Sequence, residues 1–214
     1  MKKTLLLVML FAGLGATSAF AKPYVSGSAG VAMLGDADVD GVQNAVAFKT
    51  GYAVNCAVGY NFGKVRLEGA VGYQKNGVDR FTGIPAEFVL TPGSDVNVNF
   101  SLLSYMANAY YDFNIKSPLK PYLMGGIGAV TTKWEANLNN LEESMDISIS
   151  SDTTSFAWQL GLGVGARVTD NLRFDVGYRY FKPSNSEILR PFGGQIGDIT
   201  LGSHNLMAGV RYEF

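Results

Sequence analysis

Large and small side chains alternate along most of this chain with a period of two. From Phe48 to Phe62 one side reads Phe48, Thr50, Tyr52, Val54, Cys56, Val58, Tyr60, Phe62. The other reads Lys49, Gly51, Ala53, Asn55, Ala57, Gly59, Asn61. The same beat runs from Phe156 to Val168 and again from Leu172 to Tyr180, where Leu172, Phe174, Val176, Tyr178 and Tyr180 face away from Arg173, Asp175, Gly177 and Arg179. A period of two places successive side chains on opposite faces of a β-strand. Eight such segments are predicted, over 23–34, 48–62, 64–74, 99–113, 120–132, 155–168, 172–182 and 203–214.

A soluble sandwich would also alternate, so the occupants of the two faces decide the class. Bulk and aromatics share one face, while Gly, Ala, Asn, Arg and Asp share the other. A soluble core needs bulk inside and tolerates anything outside. In a small membrane barrel the apolar face meets lipid and small or charged side chains fill a narrow lumen. The predicted fold is therefore all-β, an eight-stranded antiparallel transmembrane barrel with up-and-down connectivity. The connections support it. Short ones fall at Gly63, at 114–119 and at 169–171, and they alternate with long ones near 35–47, 75–98, 133–154 and 183–202. Short periplasmic turns, long outer loops and an even strand count belong together in such barrels. Aromatics are expected as two girdles, with Tyr60, Phe62, Tyr111, Phe113, Tyr212 and Phe214 at one interface. Tyr52, Tyr73, Tyr105, Phe156, Trp158, Tyr178 and Tyr180 form the other.

The first residues follow another logic. Lys2 and Lys3 precede an apolar run from Thr4 to Ala16, and Ala19-Phe20-Ala21 supplies small residues where a signal peptidase cuts. This predicts a cleaved signal peptide over 1–21 and a barrel domain over 22–214, with Lys22 as the first mature residue. Without Lys2 and Lys3, 15 basic residues face 18 acidic ones, a net of −3, which offers nothing to a nucleic acid. The single cysteine, Cys56, rules out an internal disulfide and an N-terminal lipid anchor. With 47 % hydrophobic and 16 % charged residues, the chain is too apolar for disorder.

Several stretches are similar to one known family. Tyr24-Val25-Ser26-Gly27-Ser28-Ala29-Gly30, Asn108-Ala109-Tyr110-Tyr111-Asp112-Phe113, Pro121 to Gly128, Gly161-Leu162-Gly163-Val164-Gly165 and Asp175 to Tyr180 resemble strands of the opacity-type and OmpA/OmpX-like outer-membrane barrels. The resemblance implies the cell outer membrane as location, with its lipid and lipopolysaccharide as neighbours. It also implies an insertion signal in Gly209-Val210-Arg211-Tyr212-Glu213-Phe214, where Tyr212 and the terminal Phe214 are read by the barrel-insertion machinery. This barrel hosts adhesins, spacers, narrow channels and a few lipid enzymes, so the resemblance is specific for fold and poor for activity.

Parity assigns the lumen a set of charges of both signs: Lys49, Arg66, Glu68, Asp112, Arg167, Arg173, Asp175, Arg179, Arg211 and Glu213. They can pair in a space where an isolated charge would be costly. Two readings compete, a gate and plain packing, and packing is favoured because eight strands leave a lumen just wide enough for side chains to fill. Asp36, Asp38 and Asp40 followed by Gly41 copy the start of a calcium loop, but Ala47 stands where the bidentate Glu belongs. An acidic solvated loop is the plainer account, and no cofactor is expected. His204, the sole histidine, lies beside Ser203 near the outer side. Lipid A deacylases of this barrel class place a Ser two residues after the His, and that position here is Leu206. The function expected is a structural or surface-interaction role, adhesin- or opacity-like, with an extracellular ligand reaching the outer loops. A low-conductance channel is the alternative and a lipid A-modifying enzyme the third reading.

Overall fold

Ten β-strands carry this alternation in the computed structural model, which describes residues 21–35, 37–39, 42–81, 95–139, 147–184 and 202–214. They are β1 (Lys22–Leu34), β2 (Ala37–Val39), β3 (Val42–Phe48), β4 (Gly51–Asn61), β5 (Val65–Phe81), β6 (Asp95–Asp112), β7 (Leu119–Asn139), β8 (Ile147–Arg167), β9 (Leu172–Pro183) and β10 (Ser203–Glu213). Eight of them close a barrel, because β1 pairs antiparallel with both β4 and β10, and β5 pairs with β6. The short β2–β3 hairpin is the remaining pair, and β3 attaches to the far end of β5.

Closure carries a stagger. Stepping from partner to partner, Tyr24 leads to Gly59, Glu68, Asn108, Gly126, Gln159, Phe181 and Ser203, and then back to β1 at Leu34. The row returns ten residues above its start, from 24 to 34. Strands in a staggered barrel must tilt, typically by about 35–45°. Each row of hydrogen-bonded positions therefore climbs the wall as it circles it.

The faces are inverted relative to a soluble protein. Gln159 is 2 % exposed while its neighbour Leu160 is 57 % exposed, and Glu68 at 4 % sits beside Leu67 at 40 %. Val31, Val54, Val58, Val71, Leu123, Ile127, Leu162, Val176, Leu206 and Val210 all stand outward. Only lipid accepts such a surface around a full circumference. Ring pairs form at both ends of this band: Tyr111–Phe113 and Tyr212–Phe214 at one, Tyr52–Tyr73 and Trp158–Tyr180 at the other.

Three tight turns define one end. At 62–64 the backbone doubles back with Gly63 at φ 93°, a left-handed conformation that favours glycine. The Asn61 side chain accepts from the Gly63 N–H at 2.8 Å, the local bond that makes Asn a turn former. In the 168–171 turn, Thr169 accepts from the Leu172 N–H and Asn171 donates to the Glu213 carbonyl.

At the opposite, loop end the strands depart from the expected limits. The second predicted strand, 48–62, is broken, since β3 stops at Phe48 and β4 starts at Gly51. Phe48 pairs with Val78 and Tyr52 with Lys75, so four steps on one side oppose three on the other. The extra residue makes a bulge at Lys49 and Thr50, and the Asn76 amide donates to the Lys49 carbonyl at 3.1 Å. β5, β6, β7 and β8 run 17, 18, 21 and 21 residues, well past the limits read from alternation. Their apolar rhythm fades where they leave the bilayer, yet backbone pairing continues because it needs no apolar side chains.

Closed inter-strand bonding predicts heat-modifiable migration. The folded protein should run faster in SDS unless boiled, with or without reductant, as Cys56 is its one cysteine and is free. Identical migration before and after boiling would contradict closure.

Candidate functional site

The lumen holds most of the charged side chains assigned to it, arranged in two zones. Near the turn end, Arg66 and Asp112 meet in a two-pronged contact at 2.8 and 2.9 Å, with side chains 4 % and 13 % exposed. Arg66 is level with Tyr110, so Asp112 is its diagonal neighbour. The guanidinium also lies 4.2 Å from the Tyr110 ring centre and 5.2 Å from that of Tyr122. A planar cation between aromatic faces with a carboxylate at its fork is an arrangement that lysine could not reproduce.

Arg173 and Arg211 face one another across β9 and β10. Two like charges in register repel. Glu213 relieves this by reaching Arg173 at 3.0 Å and Arg211 at 3.7 Å, and it also accepts from Asn61 at 2.9 Å. Asp175 lies 3.6 Å from Arg211 on the other side. Beneath this group a cavity of about 210 Å³ opens toward the turn end, bordered by Lys22 and Lys120.

Glu68 has a different set of partners. The Tyr24 hydroxyl donates to it at 3.0 Å, the Tyr110 hydroxyl at 2.6 Å and the Asn108 amide at 3.0 Å. Asn108 in turn accepts from Gln159 at 2.5 Å. These residues lie on one climbing row, Tyr24, Gly59, Glu68, Asn108, Gly126, Gln159, with glycine at the two gaps. A Cβ at Gly59 would come 2.6 Å from the Tyr24 ring, and one at Gly126 would meet the Asn108 oxygen at 2.1 Å. The glycines are small because large neighbours cross over them. Arg66 therefore pairs with Asp112 and not with Glu68, and both pairings were compatible with parity.

Toward the loop end the lumen turns neutral. Gln74, Asn76, Ser203 and Asn205 form a buried amide–hydroxyl group, and Leu102 and Phe181 line a small cavity together with Gln74 and Asn205. Arg179 lies between the zones, beside a cavity of about 60 Å³ that it shares with Asn55 and Ser28.

Other predicted residues fall elsewhere. Arg167 shares the inward parity but ends β8 at the rim, where its side chain is 56 % exposed and faces Asp170 at 3.5 Å; it is corrected out of the lumen set, since parity fixes a face and not a height. Lys49 is exposed at the bulge. Asp36 and Asp40 lie outside the described residues, and of Asp38 only the backbone in β2 is described. Tyr212 and Phe214 stand outward with ring centres 5.2 Å apart. His204 faces outward, with Nδ1 2.6 Å from the Tyr178 hydroxyl, whereas Ser203 points into the lumen. The two are on opposite faces, so no His–Ser pair assembles there. The neutral lumen residues Tyr24, Tyr110, Tyr122 and Gln159 were not singled out by sequence. Their signal was large polar side chains interrupting a face otherwise built of Gly and Ala.

The family model of the outer membrane protein beta-barrel domain matches residues 4–214. The chain belongs to this family, and its place is the outer membrane. Among relatives, outer membrane protein PagN of Salmonella typhimurium is 27 % identical over 136 residues, covering 59 % of this chain and 57 % of that protein. The chain thus spans little more than half the length of PagN. A Rickettsia canadensis protein named as a candidate adhesin is 24 % identical over 226 residues, the full length of both. The crystal structure of Neisserial surface protein A superposes with a TM-score of 0.56 at 26 % identity, covering 91 % of this chain and 99 % of that one.

The lumen geometry predicts an ordering of couplings. Arg66→Ala or Asp112→Ala should each cost on the order of 3 kcal/mol, as a buried charge is left unpaired. In double-mutant cycles read by urea unfolding, the Arg66–Asp112 coupling should exceed the Arg66–Glu68 coupling by roughly 1 kcal/mol or more. Equal couplings would return Glu68 to the role of partner.

Proposed function

We propose that this protein is a surface-interaction barrel, adhesin- or opacity-like, whose membrane part is a scaffold with a side-chain-filled lumen. The observation that carries the reading is the asymmetry of the two ends. One end has three tight turns. At the other, β7 and β8 remain paired from Ala129–Phe156 at the aromatic level to Leu138–Ile147. Those nine residues give about 30 Å of strand at roughly 3.3 Å per residue. A wall that tall serves no need of the bilayer and is suited to presenting a contact surface. The candidate adhesin among the relatives supports the same reading.

In this reading residues 1–21 are removed on export, the turn end faces the periplasm and Tyr212 and Phe214 are recognised during insertion. The lumen charges act as packing. An ion moving through would have to displace the Arg66–Asp112 pair and the Glu68 clamp, then pass the apolar and amide layer above. The separation of Ser203 from His204 gives no support to a lipid-modifying activity, so the protein is read as a non-enzyme.

Three measurements test this. With Cys56→Ser as background, single cysteines at Asp38 and Asn140 should react with an impermeant maleimide on intact cells, and one at Asn171 only after lysis. Labelling of Asn171 from outside would reverse the orientation. Cells displaying the protein should adhere to epithelial monolayers severalfold better than cells displaying a version with 134–152 replaced by a tight turn, while the purified barrel gives no steady current in planar bilayers. Steady current with no difference in adhesion would favour the channel.

A further inference from the structure

We propose that the outward face of β5, β6 and β7, just beyond the loop-end aromatics, binds the phosphorylated sugar headgroup of an anionic glycolipid through Lys75, Ser101 and Lys133. The inference rests on the membrane reading above and adds a defined lipid site to it.

One row of paired positions runs Tyr52, Lys75, Ser101, Lys133. Lys75 lies between buried Gln74 and Asn76, and Lys133 follows buried Thr132, so both lysines point away from the lumen. Their strands flank β6, so their backbones stand about two strand spacings, roughly 9.6 Å, apart with Ser101 between them. Long flexible stems let two ammonium groups close on an anion over that serine. Neither lysine has an ion-pair partner among the described residues. Asp152 occupies the next position in the row, and its side chain lies outside the described residues.

The row beneath is rich in hydroxyls. Tyr73 donates to Ser101 at 3.3 Å, and Thr131 and Thr154 meet at 2.9 Å. Below it the wall becomes Val71, Tyr105, Ala129 and Phe156, the surface that acyl chains cover. A lipid seated there would place its tails on the lower row and its headgroup among two cations and four hydroxyl groups. Phosphate matches the cations, and sugar hydroxyls match the Tyr, Ser and Thr oxygens.

The distribution of charge favours this over incidental surface lysines. Among the described side chains, the outward-facing cations on strands are Lys75, Lys133 and Lys182, all at the loop end, and no Asp or Glu stands outward on a strand. At the turn end, Lys22 and Lys120 border the lumen cavity, while Lys64 and Lys116 lie in turns. Among the described side chains, the outward-facing strand cations thus gather at one headgroup level.

The test reconstitutes the full barrel in phosphatidylcholine nanodiscs doped with diphosphoryl lipid A, dephosphorylated lipid A or phosphatidylglycerol. Lipid kept per barrel after exchange into detergent is counted by mass spectrometry. Both leaflets carry the dopant, so the result does not depend on which way the barrel inserts, and a failure here leaves the orientation to the maleimide experiment. Wild type should keep the diphosphoryl lipid best, and K75Q/K133Q should lose about thirtyfold, in line with roughly 1 kcal/mol for each of the two lysines at a membrane surface. K75R/K133R and the turn-end control K116Q should retain it. Heat-modifiable migration confirms folding, and the single variants K75Q and K133Q replace the pair if it misfolds. Equal retention by K75Q/K133Q, equal retention of phosphatidylglycerol by the wild type, or an equal loss in K116Q would overturn the proposal.

Discussion

A backbone N–H or C=O inside the bilayer has no water to bond, and each one left unpaired costs several kcal/mol. The rest of this molecule follows from meeting that demand with strands. Pairing in a ring leaves no edge in lipid, and a ring of eight with a ten-residue stagger leaves a tube about wide enough for side chains. The pleat then sends every second residue into that tube. What fills it is constrained in volume before it is constrained in chemistry.

The glycines show how the volume limit is met. Tyr24 passes over Gly59 to reach Glu68, Asn108 passes over Gly126 to reach Gln159, and Tyr122 lies across Gly163 and Gly177. Large polar residues and bare backbone alternate around the wall, so side chains from separate strands can touch across the lumen. The charged pairs sit near the turn-end mouth, where a cavity of about 210 Å³ keeps part of the group close to solvent. Farther in, past Glu68 and Arg179, the side chains are amides, hydroxyls and apolar groups that need no counter-charge. This ordering limits the desolvation cost that buried ion pairs carry.

Parity along the chain was enough to place Arg66, Glu68, Asp112, Arg173, Asp175, Arg179 and Arg211 on the inward face. It could not set their heights. Arg167 has the same parity and lies at the rim, because the end of β8 comes there. Nor could it choose between Asp112 and Glu68 as the partner of Arg66, since the answer depends on the register between β5 and β6. The tall wall was hidden for another reason. Lys133, Glu135 and Asp152 interrupt the apolar beat, yet the hydrogen bonds run on from Lys133–Asp152 to Leu138–Ile147. Alternation reports the solvent on each face, and it falls silent where both faces are wet.

The seam between β1 and β10 has a consequence for how the molecule must be assembled. Tyr24 pairs with Glu213, and the Asn61–Glu213 contact spans 152 residues of sequence. Every other neighbouring pair of barrel strands except β1–β4 is joined by a single connection and can zip from it. The seam joins the most distant partners, so its loop-closure entropy is the largest and its formation is expected last. Until then β1 and β10 are two open edges, each able to recruit a foreign strand. An assembly factor that occupied one such edge would both protect the unfinished sheet and set the order in which its strands are added.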